Sequence, residues 1–496
     1  MSNNEENIES RSAYRGIMKA TSLFGGLQVY QIVINIIRSK FIAVLLGPEG
    51  MGIMGLFQSA IDFIKAGTSF GLDQSAVRDV AEAYGENDTD KVSFIISVIR
   101  KLVIITGIGG MVIAIILSPL LSYAAFGSIG CTASFVALSV ILLLEQIKSG
   151  RLVILQGLRK YKYLSVSSAI GMTLALIVTT PLYYIFGLNG IIPALIFNSI
   201  VTLSLAVFFA RKVNVKKVHV TITESVEAGK GMLSLGLVMC LNILLVMGCS
   251  YILKGYISHY SGVENVGLYQ AGFAIVNTYV GMVFSAMNTD YYPRLATVCH
   301  DDTKSAEMIN RQAEVSLLII APIASIALIF TPIMLELLYS DMFVLANEYV
   351  KLAMFGMMFR AISWSIGNVF IAKGESKLFS KTTVFFNLLF LLDDLIWFSL
   401  MGIPGLGYSF ALNYLFHLIC VYLIAKRKYS FRFESQMIQL FVVFLVLTTL
   451  VLIVSYVENS FYRYTLGILL IGCIMLYSCY KINKYIDVIG IIMKKR

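Results

Sequence analysis

The chain has 496 residues, of which 58% are hydrophobic and only 14% are charged. This composition is too apolar for the soluble globular classes, so it excludes them and predicts an integral membrane protein. The formal net charge of +10 would also suit a nucleic-acid-binding protein, and the placement of the basic residues along the chain decides what that charge means.

The first sixteen residues are polar and contain three glutamates before any apolar run. They lack the basic start and short apolar core of a cleaved signal peptide, which predicts a retained, cytoplasmic N-terminus. A transmembrane helix needs about 20 apolar residues, and the chain offers fourteen such runs. They lie at 17–46, 51–72, 92–117, 132–156, 164–185, 190–210, 231–256, 266–289, 313–338, 350–372, 382–400, 405–425, 436–456 and 464–480.

The basic residues divide sharply between the two ends of these runs. With the N-terminus inside, 27 of the 39 Lys and Arg fall in connections on the cytoplasmic side, and one, Arg463, falls on the opposite side. This distribution follows the positive-inside rule and predicts an even number of spans with both termini in the cytoplasm. The basic charge therefore reflects topology and attraction to anionic membrane lipid, and nucleic acid is excluded as a partner.

Between the first two predicted spans, the stretch LLGPEGMGIMGLF at 45–57 contains Gly50, Gly52 and Gly55 in the G-x-G-x-x-G spacing of a dinucleotide-binding turn. That turn requires a preceding buried strand and a surrounding parallel sheet, which two apolar spans do not provide. We therefore interpret the glycines as serving a tight reversal and close contact between helices.

The glycine pattern recurs later in the chain. GPEGMG from Gly47 matches GVENVG from Gly262 at an offset of 215, and GLNGIIPA from Gly187 matches GIPGLGYS from Gly402 at the same offset. These matches predict a tandem duplication with six spans in each copy. Since six is even, the two copies share one orientation and are expected to be related by a twofold axis along the membrane normal.

The sequence therefore predicts an all-α integral membrane protein of about 14 transmembrane helices. Two pseudo-symmetric six-helix lobes are expected to surround a central cleft, with a C-terminal helix pair appended, which is typical of a transporter working by alternating access. The predicted parts are a cytoplasmic N-terminus at 1–16, an N-lobe at 17–210, a cytoplasmic linker at 211–230, a C-lobe at 231–425, spans 13 and 14 at 436–480, and a cytoplasmic basic tail at 481–496.

Cofactor and metal motifs are missing from the sequence. Seven cysteines and four histidines are scattered along the chain without a CxxC, which indicates buried thiols rather than a disulfide framework or a zinc site. No P-loop, kinase or hydrolase motif occurs either. We therefore expect no cofactor, no metal and no enzymatic activity, and an ion gradient or the substrate's own gradient as the driving force.

Four basic residues lie deep in the spans, where a cation facing lipid costs at least about 2.5 kcal/mol. They are Arg38 in span 1, Lys65 in span 2, Lys148 in span 4 and Arg360 in span 10. We expect them to face a wet cavity or a partner. Unpaired Arg and Lys in a cleft suit an anionic group, and phosphate suits Arg because its planar fork donates two hydrogen bonds. Arg38 has no acidic neighbour in its span, which favours a ligand role.

Four carboxylates lie in the same kind of environment, namely Asp62, Glu145, Asp393 and Asp394. Asp62 with Lys65 and Glu145 with Lys148 are i, i+3 pairs on one helix face, and the two aspartates of span 11 lie at a depth similar to that of Arg360. Structural salt bridges and a role in proton coupling both remain open for these groups.

The stretch RSKFIAVLLGPEGMGIMGLFQ at 38–58, followed by FGLDQSAVRDVAEAYGEND at 70–88, resembles the first two spans of the O-antigen and lipid-linked oligosaccharide translocases, most of all the lipid III flippase type. These proteins form the polysaccharide branch of the multidrug/oligosaccharidyl-lipid/polysaccharide (MOP) exporter superfamily. The resemblance extends over the whole chain in length, span count and lobe layout, while its specific motifs lie mainly in residues 36–90.

This resemblance implies a flippase of lipopolysaccharide biosynthesis that moves an undecaprenyl-pyrophosphate-linked oligosaccharide across the bacterial inner membrane. Related lipid II flippases carry an arginine about ten residues before the hairpin glycine, and Arg38, nine before Gly47, matches it. The resemblance thus implies that Arg38 contacts the pyrophosphate, with the polyprenyl tail along spans 13 and 14. Polar groups such as Gln58 and Asn277 are candidates for sugar contacts. Polysaccharide polymerase machinery is an expected partner, and we expect a monomer, since one chain contains its own cleft.

Two other classes were compared with this interpretation. A cation-coupled multidrug antiporter of the same superfamily commonly binds cations through acidic residues in its first or seventh span, whereas residues 17–46 and 231–256 contain no Asp or Glu. A sugar polymerase or ligase acting on polyprenyl lipids usually carries a large outer loop, whereas every outer connection here has about a dozen residues or fewer. Both comparisons favour the translocase.

Overall fold

The computed structural model describes residues 2–213, 215–216 and 218–486, and within them the side chains of residues 26–233, 236 and 240–484. Every regular element in these ranges is helical, as the apolar runs predict. The predicted basic tail extends to residue 496, and its part after Ile486 lies outside the described residues.

Fifteen α-helices succeed one another in the described part of the chain. They are α1 Ser2–Thr68, α2 Leu72–Gly85, α3 Thr89–Phe126, α4 Thr132–Gly157, α5 Tyr161–Phe186, α6 Ile191–Arg211, α7 Ile222–Ser261, α8 Val263–Phe273, α9 Gly281–Val298, α10 Asp302–Leu338, α11 Asn347–Ala372, α12 Ser376–Met401, α13 Ile403–Tyr429, α14 Ser435–Ser455 and α15 Ser460–Ile486. Short 3₁₀ segments precede α4, α6 and α11, and a π-helical segment, Ala274–Tyr279, joins α8 to α9.

Twelve helical stretches of the described residues are long and apolar enough to cross a membrane. Two of them are about twice as long as one span, since Gly26–Thr68 has 43 residues and Tyr161–Arg211 has 51. Each of these two contains a glycine break, at Gly47 and Gly187 respectively, and so accommodates two spans. Ten single and two double stretches give the fourteen predicted spans, and the prediction of an all-α, multi-pass membrane protein is confirmed.

The repeated glycines adopt the same unusual backbone conformation in both halves of the sequence. Gly47 has φ 65° and ψ −167°, and Gly262 has φ 91° and ψ 163°. Gly187, with φ 54° and ψ −133°, corresponds to Gly402, with φ 66° and ψ −144°. A positive φ with an extended ψ is accessible almost only to glycine. The residues that align at an offset of 215 therefore break the helix between successive spans in both halves.

Other local features repeat at offsets of 213 or 215 residues. Asp88 accepts two backbone hydrogen bonds at the start of α3, and Asp301 does the same at the start of α10. Such caps satisfy backbone N–H groups that have no partner within the helix. Beyond α4 and α11, Arg159 and Gly374 both have positive φ, at 55° and 72°. This common order of helices, caps and breaks supports the tandem duplication.

The chain forms two compact units, residues 1–259 and 260–496. In the first unit α3 packs on α4, α4 on α6, and α5 on α6. In the second unit the equivalent helices pair in the same way, since α10 packs on α11, α11 on α13, and α12 on α13. The appended helices α14 and α15 pack on α10 and so extend the second unit.

Candidate functional site

Three of the predicted charged residues meet in the first unit. Glu145 on α4 accepts a hydrogen bond of 2.6 Å from the Nζ atom of Lys148, one turn further along the same helix. The Nζ atom of Lys65 on α1 lies 3.7 Å from Oε2 of the same carboxylate. The three side chains are 17–28% exposed. One carboxylate therefore serves two ammonium groups, as burial among apolar helices requires.

Asp62 and Lys254 complete this group, which we call the lysine–carboxylate cluster (Asp62, Lys65, Glu145, Lys148 and Lys254). Asp62 accepts a hydrogen bond of 3.0 Å from the side-chain amide of Gln58, on the preceding turn of α1. Lys254 on α7 and Lys65 both lie within electrostatic range of the Asp62 carboxylate. Three ammonium groups thus face two carboxylates, and the cluster carries one excess positive charge.

Sequence spacing predicted only part of this cluster. The i, i+3 pair of Glu145 and Lys148 is present, whereas Lys65 pairs across helices with Glu145 at 3.7 Å and Asp62 is bound by Gln58. Lys254 lies near the end of span 7, where a lysine is expected to extend to the membrane surface. The packing of α7 brings Lys254 close to Asp62, and no spacing rule in the sequence predicts this contact.

Arg38 also lies on α1, which packs on α5. The hydroxyl of Tyr183 on α5 lies within electrostatic range of the guanidinium group, and the Tyr183 side chain is only 2% exposed. A 2.5 Å hydrogen bond between the hydroxyls of Tyr30 and Thr173 also joins these two helices. No acidic side chain of the described residues forms an ion pair with Arg38, in agreement with the sequence around it.

The second unit holds its deep cation in a different way. Arg360 on α11 donates a hydrogen bond of 2.7 Å from Nη1 to Oδ1 of Asn277. The guanidinium carbon lies 5.3 Å from the ring centre of Phe284 and 5.2 Å from that of Tyr414, both within cation–π range. Among the described residues no carboxylate lies within ion-pair distance of Arg360. Its charge is therefore shielded by an amide and two rings but not neutralised.

Arg360 lines a cavity of about 430 Å³, which we call the Arg360 cavity. Its wall combines the aromatic side chains of Trp364 and Tyr414 with the side-chain amides of Asn368 and Asn387. A smaller cavity of about 140 Å³ shares Tyr414 with it and is also lined by Asn277, the hydrogen-bond partner of Arg360. A volume of this order, with mixed apolar and polar walls, is typical of a small-molecule site.

The two aspartates of span 11 do not pair with Arg360. The hydroxyl of Ser409 on α13 lies 2.5 Å from Oδ1 of Asp394 and 3.2 Å from Oδ2 of Asp393. Asn413, one turn further along, donates to this hydroxyl at 3.0 Å. Neither aspartate has an ion-pair partner among the described residues. The two carboxylates share one hydroxyl donor, and the amide of Asn413 holds that hydroxyl in place.

The duplication connects the sites of the two units. At an offset of 215, Asp62 corresponds to Asn277 and Glu145 corresponds to Arg360. The same two helical positions thus carry two acids in the first unit and an amide with a cation in the second. Asn277 lies in the π-helical segment, a distortion that frequently occurs at functional sites. The repeat offset was the one sequence signal that could have identified Asn277 as the partner of Arg360.

A comparison with known protein families identifies the family to which this chain belongs. A sequence model of the family described as "Polysaccharide biosynthesis protein" matches residues 41–347, which is more than half of the chain. Among curated protein sequences, none matches this chain significantly.

Solved structures resemble the chain over most of its length. A structure of the lipid II flippase MurJ in an inward closed conformation has a TM-score of 0.70 at 12% identity and covers 95% of this chain and 100% of its own. An inward-facing multidrug resistance MATE transporter of the MOP superfamily has a TM-score of 0.66 at 18% identity, with 81% and 94% covered. A MOP superfamily transporter from Pyrococcus furiosus has a TM-score of 0.58 at 17% identity, with 84% and 95% covered. At these identities the likeness defines the fold.

Proposed function

Because this chain belongs to the polysaccharide biosynthesis protein family, we propose that it is a flippase for a lipid-linked oligosaccharide, of the polysaccharide branch of the MOP superfamily. The substrate would be an undecaprenyl-pyrophosphate-linked O-antigen or related repeat unit. The protein would move it across the bacterial inner membrane by alternating access, with both termini in the cytoplasm. The charge asymmetry of the connections supports this orientation.

The observation that carries the proposal is the un-neutralised charge of Arg360. A guanidinium group in a membrane span is costly unless it has a partner, and here an amide and two rings are its partners in place of a carboxylate. Arg38 is likewise without an ion pair in the described chain. A pyrophosphate supplies the missing negative charge, and guanidinium groups bind it through paired hydrogen bonds.

The lining of the Arg360 cavity suits a sugar. Aromatic rings such as Trp364 and Tyr414 offer apolar faces on which the C–H face of a sugar ring packs, while Asn368 and Asn387 offer amide donors and acceptors for hydroxyl groups. Such a combination of apolar wall and a few polar groups fixes the orientation of a ligand. We assign the glycan to this cavity and the pyrophosphate to the arginines, with Lys65 and Lys148 as further cations for it.

The helices α14 and α15 supply a place for the polyprenyl tail. They expose apolar side chains over their length, among them Val446, Ile453, Leu469 and Leu476. In a bilayer these side chains contact acyl chains, and a polyprenyl chain is chemically equivalent to them. A tail that remains in lipid along this pair requires no polar path through the protein. Polysaccharide polymerase machinery as a partner and a monomeric state remain predictions.

One observation favours a second candidate, a cation-coupled multidrug antiporter. The MATE transporter structure shares the fold at a TM-score of 0.66, and Asp394 lies in a span without an ion-pair partner in the described residues. An antiporter would use such a carboxylate to bind a cation. The absence of acidic residues at 17–46 and 231–256 weighs against this alternative.

A reconstituted translocation assay tests both candidates. Purified protein is placed in liposomes containing a fluorescent polyprenyl-pyrophosphate oligosaccharide, and the glycan reaching the far leaflet is measured with an impermeant sugar oxidant. Arg38→Ala and Arg360→Ala are each expected to lower the rate at least tenfold, about 1.4 kcal/mol. The matched control is Arg294→Ala, since Arg294 is 65% exposed and pairs with Asp290 at the surface. No glycan movement, with uptake of a cationic dye under a proton gradient, would replace the flippase by the antiporter.

A further inference from the structure

A cavity of about 530 Å³ lies in the first unit, and none of the charged residues of the candidate functional site lines it. Its wall is formed by the end of α2, the start of α3, the turn between α4 and α5, and the chain following α6, all in connections predicted to be cytoplasmic. Three lysines line it, namely Lys160, Lys212 and Lys216, together with Tyr84, Asn87 and Tyr163. No function proposed so far uses this cavity.

The charges that line the cavity are unbalanced. Lys216 forms an ion pair with Asp90, with 3.3 Å between Nζ and Oδ1, and both of these side chains are highly exposed. Lys212 lies over the rings of Phe208 and Phe209, at 4.6 and 5.2 Å, without an acidic partner in the described chain. Lys160 has no acidic partner in the described chain either. The one carboxylate in the wall is that of Asp88, whose Oδ1 already caps α3.

The second unit provides an internal comparison, because the duplication repeats these helix ends and connections there. Lys373 pairs with Asp302 at 2.7 Å, and Lys428 forms an ion pair with Glu375. The ring of Tyr429 lies 5.0 Å from the Lys373 ammonium and 5.8 Å from that of Lys428. The two lysines in this part of the second unit are thus neutralised by carboxylates of their own unit.

In the first unit all four of these positions differ. By the offsets of 213 and 215 that relate the repeats, Thr89 stands at the position of Asp302, Leu158 at that of Lys373, Lys160 at that of Glu375, and Val213 at that of Lys428. The backbone is unchanged at the reversed charge, since Lys160 has φ −82° and ψ 52° and Glu375 has φ −79° and ψ 56°. All four substituted residues line the cavity. Both ion pairs are therefore lost, and one of the four charges is reversed.

We propose that this cavity binds a phosphate-bearing ligand, which supplies the negative charge that Glu375 and Asp302 supply in the second unit. Three lysines line a space large enough for a phosphorylated headgroup or a small phosphorylated metabolite. Ammonium groups are common phosphate ligands, and the tyrosine and asparagine side chains add neutral donors. The ligand reaches the cavity from the side predicted as cytoplasmic, either from the lipid leaflet or from solution. This inference is independent of the proposed function.

Binding by the full-length protein in detergent tests the inference with two probes. Glycerol 3-phosphate is titrated calorimetrically, and retention of phosphatidylglycerol over phosphatidylcholine is measured by native mass spectrometry. Lys160→Glu, which places the residue of the second unit in the first, is expected to weaken binding of at least one probe about tenfold or more. Lys160→Gln removes the charge without reversing it and is expected to have a smaller effect in the same direction.

The matched control is Lys162→Glu, which makes the same charge change at an exposed position two residues further along α5, outside the cavity wall. It is expected to leave binding within about twofold of the wild type. A loss confined to phosphatidylglycerol identifies a lipid headgroup as the ligand, and a loss confined to glycerol 3-phosphate identifies a soluble phosphate. The proposal is overturned if neither probe binds the wild type saturably, or if Lys162→Glu weakens binding as much as Lys160→Glu.

Discussion

Replacing Asn277 by aspartate is a direct test of the role given to Arg360. The two side chains have nearly the same shape, so the new carboxylate can accept the same hydrogen bond that Oδ1 of Asn277 accepts from Nη1 of Arg360 at 2.7 Å. The substitution therefore leaves the geometry in place and changes one quantity, the net charge of the pair, from +1 to zero. We expect transport of the proposed substrate to be lost while the protein remains folded.

The size of the expected effect follows from the distance between Nη1 of Arg360 and Oδ1 of residue 277. Two unit charges 2.7 Å apart attract by about 6 kcal/mol at an effective dielectric constant of about 20. Burying the new carboxylate costs several kcal/mol, so the free energy of unfolding should change little or rise slightly. A phosphate near Arg360, by contrast, loses most of its attraction to the guanidinium and is repelled by the carboxylate. We expect the translocation rate to fall at least tenfold, about 1.4 kcal/mol.

The liposome assay with the fluorescent polyprenyl-pyrophosphate oligosaccharide measures this effect, and the melting temperature in detergent checks the fold. Asn189→Asp, at an exposed position of the first unit, controls for the added charge. The double variant Asn277→Asp with Arg360→Ala should transport no better than Arg360→Ala alone, because the new carboxylate then lacks its counter-charge and still repels the phosphate. Wild-type transport by Asn277→Asp would refute the assignment of Arg360 to the phosphate.

Three further predictions concern stability and topology. Glu145→Gln leaves its two lysine partners facing each other without a counter-charge and should lower the free energy of unfolding by about 1–3 kcal/mol, measured as a fall in melting temperature; an unchanged value would mean that solvent already screens the cluster. Gly262→Ala should cost about 1–3 kcal/mol through strain alone, since φ is 91° and a Cβ atom would contact nothing within 4 Å, whereas Gly26→Ala should be neutral or mildly stabilising; equal effects would argue against strain. Cysteines at Ser128 and Ser376, in an otherwise cysteine-free protein, should react with an impermeant thiol reagent from outside and inside respectively, and the opposite pattern would reverse the topology.

The charged sites show how far local sequence rules reach. The rule that residues i and i+3 share a helix face correctly joined Glu145 to Lys148, because that contact lies within one helix. The same rule placed Lys65 beside Asp62, whereas the structure joins Lys65 to Glu145 across helices. Similarly, their similar depth in the membrane suggested an ion pair between Arg360 and the aspartates of span 11. In the structure Arg360 donates a hydrogen bond to Asn277 instead.

The sequence by itself determined the class of the protein, the fourteen spans, the helix breaks at Gly47, Gly187, Gly262 and Gly402, and the duplication. Each of these depends on local properties, either the apolar length needed to cross a bilayer or the backbone freedom of glycine. Only the tertiary structure decided which charges meet across helices. A membrane helix is apolar on nearly every side, so its sequence carries little information on which face turns toward which neighbour. The rotation of each helix, and with it the partners of Lys65, Lys254 and Arg360, follows from packing between helices that are distant in the chain.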